Sequence, residues 1–287
     1  MKTKNQTINA GILVFCSAFL FSCSACSQQT TTENSSDDFP FVNESDSAKS
    51  TETVDTIDSD HPIDTLRYNI LLTPGSNYAQ TKKHTTSLRD SLKREFDRCT
   101  SDSARNEMLH ISGKMLEVEL VNNIFPYWYG TGWEFSGYTD TPGKGTIACG
   151  YFVSTTLKHA GFNLNRYKLA QQSPEYEAYT FCISDTVQVF DSLSPRQLKD
   201  YFLENMREGL YFVGLDFHVG FLLLRNDELF FIHSNYLNSM GPVIEIAEFA
   251  SVFPSFRYYI AQITTNKPFI KKWLSNELVD VKIETPK

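Results

Sequence analysis

The sequence predicts an α+β fold in which helices precede an antiparallel sheet. Two segments in the first half of the chain, residues 87–96 and 102–124, are predicted helices, and the second has apolar residues near helical spacing. Strand-like apolar runs all follow residue 210, at residues 211–215, 218–224, 229–235 and 258–264. Because helices and strands are separated along the chain instead of alternating, an antiparallel sheet is favoured over a parallel one.

A further helix is predicted at residues 147–160, where apolar residues recur at helical spacing. Thr146 is a suitable N-cap for this helix, and Gly161 is a suitable C-terminal cap. These boundaries place Cys149 in the first turn, beside backbone N–H groups that have no partner within the helix. We expect this helix to pack on the sheet.

The N-terminus has the pattern of an export signal. Two lysines precede an apolar stretch at residues 12–21, which is too short to span a bilayer comfortably. The junction at residues 20–23 (Leu-Phe-Ser-Cys) resembles a bacterial lipoprotein signal, in which Cys23 is lipidated and becomes the new N-terminus. We therefore expect removal of residues 1–22 and a lipid-anchored protein exported to the bacterial cell envelope. An ordinary cleaved secretory signal is the alternative.

Residues 23–65 are predicted to form a disordered acidic tether. Within them, residues 27–65 contain ten acidic residues and one basic residue, Lys49, without a helical or strand period. The whole chain has a formal net charge of −8, so the predicted single domain at residues 66–287 is close to neutral. A neutral domain has no electrostatic attraction for nucleic acid, and we expect no nucleic-acid partner.

Half of the six cysteines belong to the leader, so Cys99, Cys149 and Cys182 remain in the body of the protein. An odd count in an oxidising compartment suggests one functional thiol beside a possible Cys99–Cys182 disulfide. Cys99 and Cys182 are equally compatible with two isolated core thiols. The sequence leaves both alternatives open.

Two histidines fall in neighbouring predicted strands. If residues 225–228 form the connecting loop, His218 lies opposite Asn235. The same register places His233 opposite Gly220. Because side chains alternate between the faces of a strand, both imidazoles share one face as diagonal neighbours about 7 Å apart.

A thiol at a helix N-terminus near an imidazole is the arrangement of a cysteine hydrolase. The helix dipole and a nearby imidazolium favour the thiolate of Cys149, which would attack a carbonyl carbon. His218 would take and return the proton, and either His233 or Asn235 would fix its tautomer. An inert core position for Cys149 is one alternative. A zinc site with both histidines is another, although the ligand spacing is not typical. We expect no metal and no cofactor.

Four aromatic residues before the cysteine are candidates for the wall of a substrate cleft: Tyr127, Trp128, Trp133 and Tyr138. Packing of the loop into the core explains them equally well. Asp216 precedes His218 by two positions and shares its face if the strand is unbroken. It could then tune the base, or it could simply occupy a turn.

The segment at residues 126–161 combines an aromatic, glycine-rich approach, the run Cys-Gly-Tyr-Phe-Val from Cys149, and a closing Ala-Gly pair. With the later His-Val-Gly strand and the strand ending in Ile-His-Ser, it resembles the NlpC-type papain-like cell-wall cysteine peptidases. The resemblance implies a papain-like fold, with Cys149, His218 and His233 as nucleophile, base and third polar residue. Ala148 stands where that family typically has Asp, and Gly150 where it typically has Ser.

The resemblance further implies cleavage of an amide bond in peptidoglycan stem peptides, with peptidoglycan fragments as the substrate and the membrane as a partner through Cys23. An oxyanion hole would come from backbone N–H groups in the first turn of the helix. Two other hypotheses remain. One is a hydrolase or acyl transferase acting on another amide or ester. The other is a non-catalytic envelope module that binds wall fragments.

Overall fold

The computed structural model describes residues 61–284. The chain divides into two units, residues 1–51 and 52–287, and all described residues belong to the second. The predicted signal at residues 1–22, the lipidation site Cys23 and most of the predicted tether lie outside the described residues. Within residues 61–284, no helix is both long enough and apolar enough to cross a membrane.

Eight α-helices are present in the described part of the chain. Their bounds are α1 Thr65–Tyr68, α2 Tyr78–Arg98, α3 Asp102–Val118, α4 Cys149–His159, α5 Arg166–Ala170, α6 Pro174–Phe181, α7 Pro195–Asn205 and α8 Lys267–Leu274. Helix α3 continues into a π-helical segment, Glu119–Ile124, and a 3-10 turn that contains Pro126. The predicted helix at residues 102–124 is therefore confirmed, with a change of hydrogen-bonding pattern in its last turns.

Six strands form one antiparallel sheet in the order β1-β6-β2-β3-β4-β5. Their bounds are β1 Gln188–Asp191, β2 Gly209–Gly214, β3 Val219–Arg225, β4 Glu228–Asn235, β5 Gly241–Ile246 and β6 Arg257–Gln262. The predicted α+β class is confirmed. The four predicted strands correspond to β2, β3, β4 and β6, whereas β1 and β5 were not predicted.

The predicted register of the β3–β4 hairpin is confirmed, because Leu224 pairs with Leu229 and Gly220 pairs with His233. The turn itself is shorter than predicted. Only Asn226 and Asp227 lie outside the ladder, and both have positive φ, of 49° and 62°. Two consecutive left-handed residues are typical of the tight turn that matches the twist of a hairpin.

The sheet is covered on both faces. Helix α4 packs on the face that carries Phe221 and Ile232, as part of the larger core. Helix α7 covers the opposite face, where Leu198 and Phe202 pack with strand residues such as Leu222. Because both faces are covered, residues are buried continuously along the central strands instead of alternating between buried and exposed.

The folded unit begins earlier than the predicted boundary at residue 66. Ile63 is buried in the core, the imidazole of His61 stacks on Phe249 at 3.8 Å, and Asp64 caps α1 by accepting from the N–H of Arg67. Residues 61, 63 and 64 of the predicted tether therefore have defined contacts with the domain. Composition alone missed this boundary because a single buried isoleucine is enough to fix a chain end to a core.

Cys99, Cys149 and Cys182 are all free thiols. The alternative with a Cys99–Cys182 disulfide therefore does not hold for this fold. Helices α5 and α6, strand β1 and helix α7 fill the stretch between Gly161 and Gly209.

Candidate active site

Cys149 is the first residue of α4 and directly follows the N-cap residue. The N-cap is Ala148, not the predicted Thr146, whose hydroxyl instead donates to Glu134. The helix start is fixed to the end of β4, because the hydroxyl of Ser234 donates to the carbonyl of Ile147 at 2.7 Å. The fold thus places the sulfur at one end of the sheet.

The thiol of Cys149 is held in its protonated form. Burial raises its pKa to about 11, and the negative charge of Glu177 adds to the rise. The backbone N–H groups of Val219, Gly150 and Cys149 itself lower the pKa, but by less. The expectation of a thiolate stabilised by the helix N-terminus is therefore wrong for this state, because loss of hydration outweighs the helix amides.

Glu177 on α6 is the carboxyl group that acts on the thiol. It is 1% exposed, and its Oε2 has no hydrogen-bond partner. A Cβ atom added at Gly150 would lie 3.0 Å from its Oε1 and 2.8 Å from the carbonyl oxygen of Ala170. This close packing explains why glycine follows Cys149. Burial also raises the pKa of Glu177 itself well above its ordinary value.

The two predicted histidines meet. Nε2 of His218 lies 2.8 Å from Nδ1 of His233, and Nε2 of His233 lies 2.6 Å from Oε2 of Glu245. These contacts join three side chains, one from the residue before β3, one from β4 and one from β5, and we call this chain the imidazole relay. His233 therefore occupies the orienting position next to His218. Asn235 does not, because its Oδ1 accepts from the backbone N–H of Leu237 in the following turn.

An ionised Glu245 fixes the tautomers of both rings. An ionised carboxylate only accepts hydrogen bonds, so neutral His233 must donate to Glu245 through Nε2. Nδ1 of His233 is then an acceptor, and His218 must donate to it through Nε2. Nδ1 of His218 is left with a free lone pair, which is the form a general base requires.

Both imidazoles are buried and neutral. His233 is 0% exposed and stacks on Phe231 at a centroid distance of 4.0 Å, while His218 is 4% exposed. Burial lowers the pKa of His233 to about 3. Burial, with a contribution from His233, lowers the pKa of His218 well below its ordinary value. The thiol and both imidazoles are therefore neutral in the resting state.

Gly220 provides the space that the relay needs. It pairs directly with His233, and a Cβ atom at this position would lie 2.8 Å from Cβ of His233 and 2.7 Å from the ring of Phe231. Both contacts are far below ordinary van der Waals distance. The missing side chain lets the His233 ring lie across the strand toward His218.

The sulfur and the relay approach the end of the sheet from opposite faces. Val219, whose N–H interacts with the sulfur, has its side chain in the core beneath α4. Phe231, which stacks on His233, belongs to the core beneath α7. Among the described residues, no hydrogen bond joins the sulfur of Cys149 to an imidazole. His218 lies one residue before the first paired residue of β3, Val219, at the end of the sheet.

The predicted aromatic residues separate into two groups. Trp128 is fully buried, with Nε1 donating to Tyr78, and the hydroxyl of Tyr127 bonds Ser76, so core and loop packing explains both. Tyr138 is 60% exposed and lies against the ring of Tyr151.

Trp133 is different, because it lines a cavity of about 310 Å³ together with His218. A larger cavity, of about 680 Å³, is lined in part by Cys182 and by none of the predicted site residues.

Asp216 also borders the His218 cavity, but it lies between β2 and β3 and not in an unbroken strand with His218. Its carboxylate accepts from the N–H groups of Phe256 and Arg257, so Asp216 stabilises a turn and makes no hydrogen bond to His218.

Sequence reasoning missed Glu245. Its strand, β5, was not predicted. Glu245 pairs with Phe231 of β4 and is therefore a diagonal neighbour of His233. One signal was available in the sequence. Val243 and Glu245 are two positions apart, so in a strand their side chains must lie on the same face of the sheet. Nothing in the sequence showed that this strand would lie beside β4.

Within residues 61–284, no group of three His, Cys, Asp or Glu side chains is arranged to hold a metal ion. Nε2 of His218 and Nδ1 of His233 face each other at hydrogen-bonding distance, which is not the geometry of two ligands on one ion.

No family model, no curated protein and no solved structure matches this chain. The geometry of the site and the motifs in the sequence are therefore the basis for a functional proposal.

The Gly220→Ala variant should lose the relay. The added methyl group overlaps Cβ of His233 and the backbone of Ile232, so the strand must shift, at a cost of about 1–3 kcal/mol in the free energy of unfolding. Thermal melting and a crystal structure of the variant measure both effects. Gly75→Ala is the matched control, because nothing lies within 4 Å of its added methyl group. An unchanged His218–His233 distance in Gly220→Ala would contradict this interpretation.

The Glu177→Gln variant should lower the pKa of Cys149. The negative charge of Glu177 opposes the thiolate, so removing that charge makes the thiolate easier to form. Alkylation by iodoacetamide, followed by mass spectrometry of the Cys149 peptide across pH 7–11, should become several-fold faster at pH 9. Glu175→Gln on the same helix is the control, since that side chain bonds Tyr179. An alkylation profile identical to wild type would exclude contact between the two charges.

Proposed function

We propose that the protein is a cysteine hydrolase that cleaves an amide bond, with a papain-like arrangement of Cys149, His218 and His233. The observation that carries the proposal is the imidazole relay, which prepares Nδ1 of His218 as a base. The sulfur lies against the N–H of Val219, the residue next to His218. A buried histidine pair with one unbonded ring nitrogen, near a helix-terminal thiol, has a clear use in proton transfer.

The reaction starts from the neutral pair. The thiol turns from the backbone amides toward Nδ1 of His218, and its proton moves to that nitrogen as the sulfur attacks the carbonyl carbon. The resulting imidazolium donates through Nε2 to His233, and the negative charge of Glu245 stabilises it from the far end of the relay. His218 then protonates the leaving amine, which breaks the C–N bond and leaves a thioester.

Water completes the cycle. His218 is neutral again, so it removes a proton from a water molecule that attacks the thioester carbonyl. The C–S bond breaks, the acid is released, and the sulfur recovers its proton. The N–H groups of Cys149 and Gly150, at the start of α4, are the donors available to the oxyanion in both steps.

The substrate class comes from the resemblance to the NlpC-type cell-wall peptidases. We propose an amide bond in peptidoglycan stem peptides, cleaved by an enzyme anchored in the cell envelope. Another amide, or transfer of the acyl group to an acceptor other than water, would use the same residues. Mass spectrometry of the products distinguishes hydrolysis from transfer, because only hydrolysis incorporates oxygen from ¹⁸O-labelled water.

Cys149→Ala should abolish turnover of purified muropeptides, with a loss of at least about 10³-fold, because no other group can form the thioester. The variant should keep its thermal stability, since one sulfur atom is a small part of the core. Cys99→Ala, which removes a thiol remote from the relay, should turn over substrate as wild type does. Equal turnover by Cys149→Ala and wild type would remove the assignment.

A non-catalytic binding module is the second candidate function, and the protonated, buried thiol is the observation that favours it. The two functions differ in the reactivity of Cys149. An amide-derived electrophile that occupies the cleft should label Cys149 of an enzyme near neutral pH and should leave a binding module unlabelled. Labelling that also requires His218 would favour the enzyme.

We also propose that Cys23 carries the lipid anchor, as the lipoprotein-like junction suggests. Metabolic labelling with radioactive palmitate should mark the wild-type protein, and globomycin should block its processing. Cys23→Ala should carry no label, whereas Cys26→Ala, which removes the neighbouring leader cysteine, should be labelled normally. Label that persists in Cys23→Ala would exclude this site.

A further inference from the structure

Large apolar side chains are exposed on the loops at the end of the sheet that carries the imidazole relay. Four loops meet there, at residues 133–138, 215–218, 236–240 and 253–257, because each contributes to the lining of the His218 cavity. Their exposed apolar residues, which we call the apolar rim, are Phe135, Phe217, Tyr236, Leu237, Met240 and Phe256. Of the exposed phenylalanines in the described part of the chain, only Phe249 lies outside the rim. Such a concentration marks an interaction surface.

The charged residues of the four loops already have partners. The carboxylate of Asp216 accepts from two backbone N–H groups, and Glu134 accepts from the hydroxyl of Thr146. The guanidinium of Arg257 pairs with Asp191 through two nitrogens. The rim therefore offers a partner apolar contact without a free charge.

The turns that carry the rim also satisfy backbone groups internally. The N–H of Trp133 donates to the carbonyl of Ser239 at 3.0 Å, and the N–H of Leu237 donates to Oδ1 of Asn235 at 2.9 Å. Lipid supplies few hydrogen-bond partners, so a surface that enters a bilayer must pair its polar groups within the protein. A protein partner would instead be held by about one hydrogen bond per 100–200 Å² of interface. The paired groups of these loops favour lipid.

The place where the chain enters the domain is compatible with a membrane at the rim. Helix α1 lies near the opposite end of the sheet, because the carbonyl of Arg67 accepts from Asn226 in the β3–β4 turn. Strand β4, Glu228–Asn235, separates the two ends by about 25 Å. Residues 24–60, most of the predicted tether, lie outside the described residues, and a coil of that length spans about 35 Å on average. An anchor at Cys23 therefore lets the rim reach the membrane.

We infer that the apolar rim docks on the lipid bilayer in which the chain is anchored, with its side chains at the boundary between headgroups and acyl chains. Aromatic and aliphatic side chains bind this boundary in proportion to the apolar area they bury. Tethering raises the local concentration of the rim at the membrane, so a weak contact is sufficient. The inference rests on the proposed anchor at Cys23 and is independent of the hydrolase assignment. It makes the candidate site open toward the membrane.

Tryptophan probes at the two ends of the sheet test this orientation. Phe217→Trp places an indole on the rim, and Leu66→Trp is the matched control on α1, since the two positions are 97% and 91% exposed. Each mature lipidated variant is incorporated into vesicles of phosphatidylethanolamine and phosphatidylglycerol, with or without bromine on the acyl chains. The emission of the native tryptophans is subtracted with the parent protein. Because bromine quenches only at short range, emission from Phe217→Trp should fall at least 2-fold and emission from Leu66→Trp should not change.

Truncation of the rim provides a second measurement. Met240→Ser with Phe256→Ser, added to the Phe217→Trp variant, should reduce the quenched fraction at least 2-fold. Leu203→Ser with Leu278→Ser removes two exposed leucines outside the rim and should leave the quenching unchanged. Thermal melting checks that each variant folds.

Vesicle flotation separates the docking from the proposed anchor. If the protein floats with the vesicles but the Phe217→Trp probe is not quenched, or both probes are quenched equally, the anchor stands and the docking is overturned. If the protein does not float, the anchor fails and the docking fails with it. An unquenched rim together with a dimeric mass in sedimentation would assign the rim to a second copy of the chain. Muropeptide turnover by the same preparations tests the hydrolase separately.

Discussion

The hydrogen bond from His218 to His233 depends on the carboxylate of Glu245 at the far end of the relay. Glu245 accepts the proton of Nε2 of His233, which forces Nδ1 of that ring to be an acceptor and Nε2 of His218 to be a donor. The unprotonated nitrogen of His218 is thus determined by a carboxylate two side chains away. Gly220 makes this possible, because a Cβ atom there would overlap Cβ of His233 and the ring of Phe231.

Burial gives the site its resting state. The same desolvation that raises the pKa of the Cys149 thiol to about 11 lowers the pKa of both histidines, so both partners are neutral. In the proposed mechanism, the proton therefore moves during attack and not before it. Glu177 raises the pKa of the Cys149 thiol further, because it places a second buried acid beside the start of α4. In that mechanism the thiol stays protonated until substrate binds, and the relay stabilises the charge that then develops.

Local sequence patterns predicted the local parts of this arrangement. The β3–β4 register follows from a short turn and a period of two, and α4 follows from helical spacing and Gly161. Contacts between distant segments were not predictable. Glu245 belongs to a strand whose neighbour the sequence does not reveal, and the burial of Cys149 depends on α5 and α6. Trp128 and Trp133 lie five residues apart in one loop, yet one enters the core and the other borders a cavity.

Nitrogen-15 NMR of the histidine rings tests the central claim most directly, because chemical shifts distinguish a protonated ring nitrogen from an unprotonated one. At pH 7, both His218 and His233 should be neutral with the proton on Nε2, and Glu245→Gln should disturb both rings while leaving the exposed His110 unchanged. A proton on Nδ1 of His218 at pH 7 would contradict the account, because the nitrogen assigned as the base would then have no lone pair to accept the thiol proton.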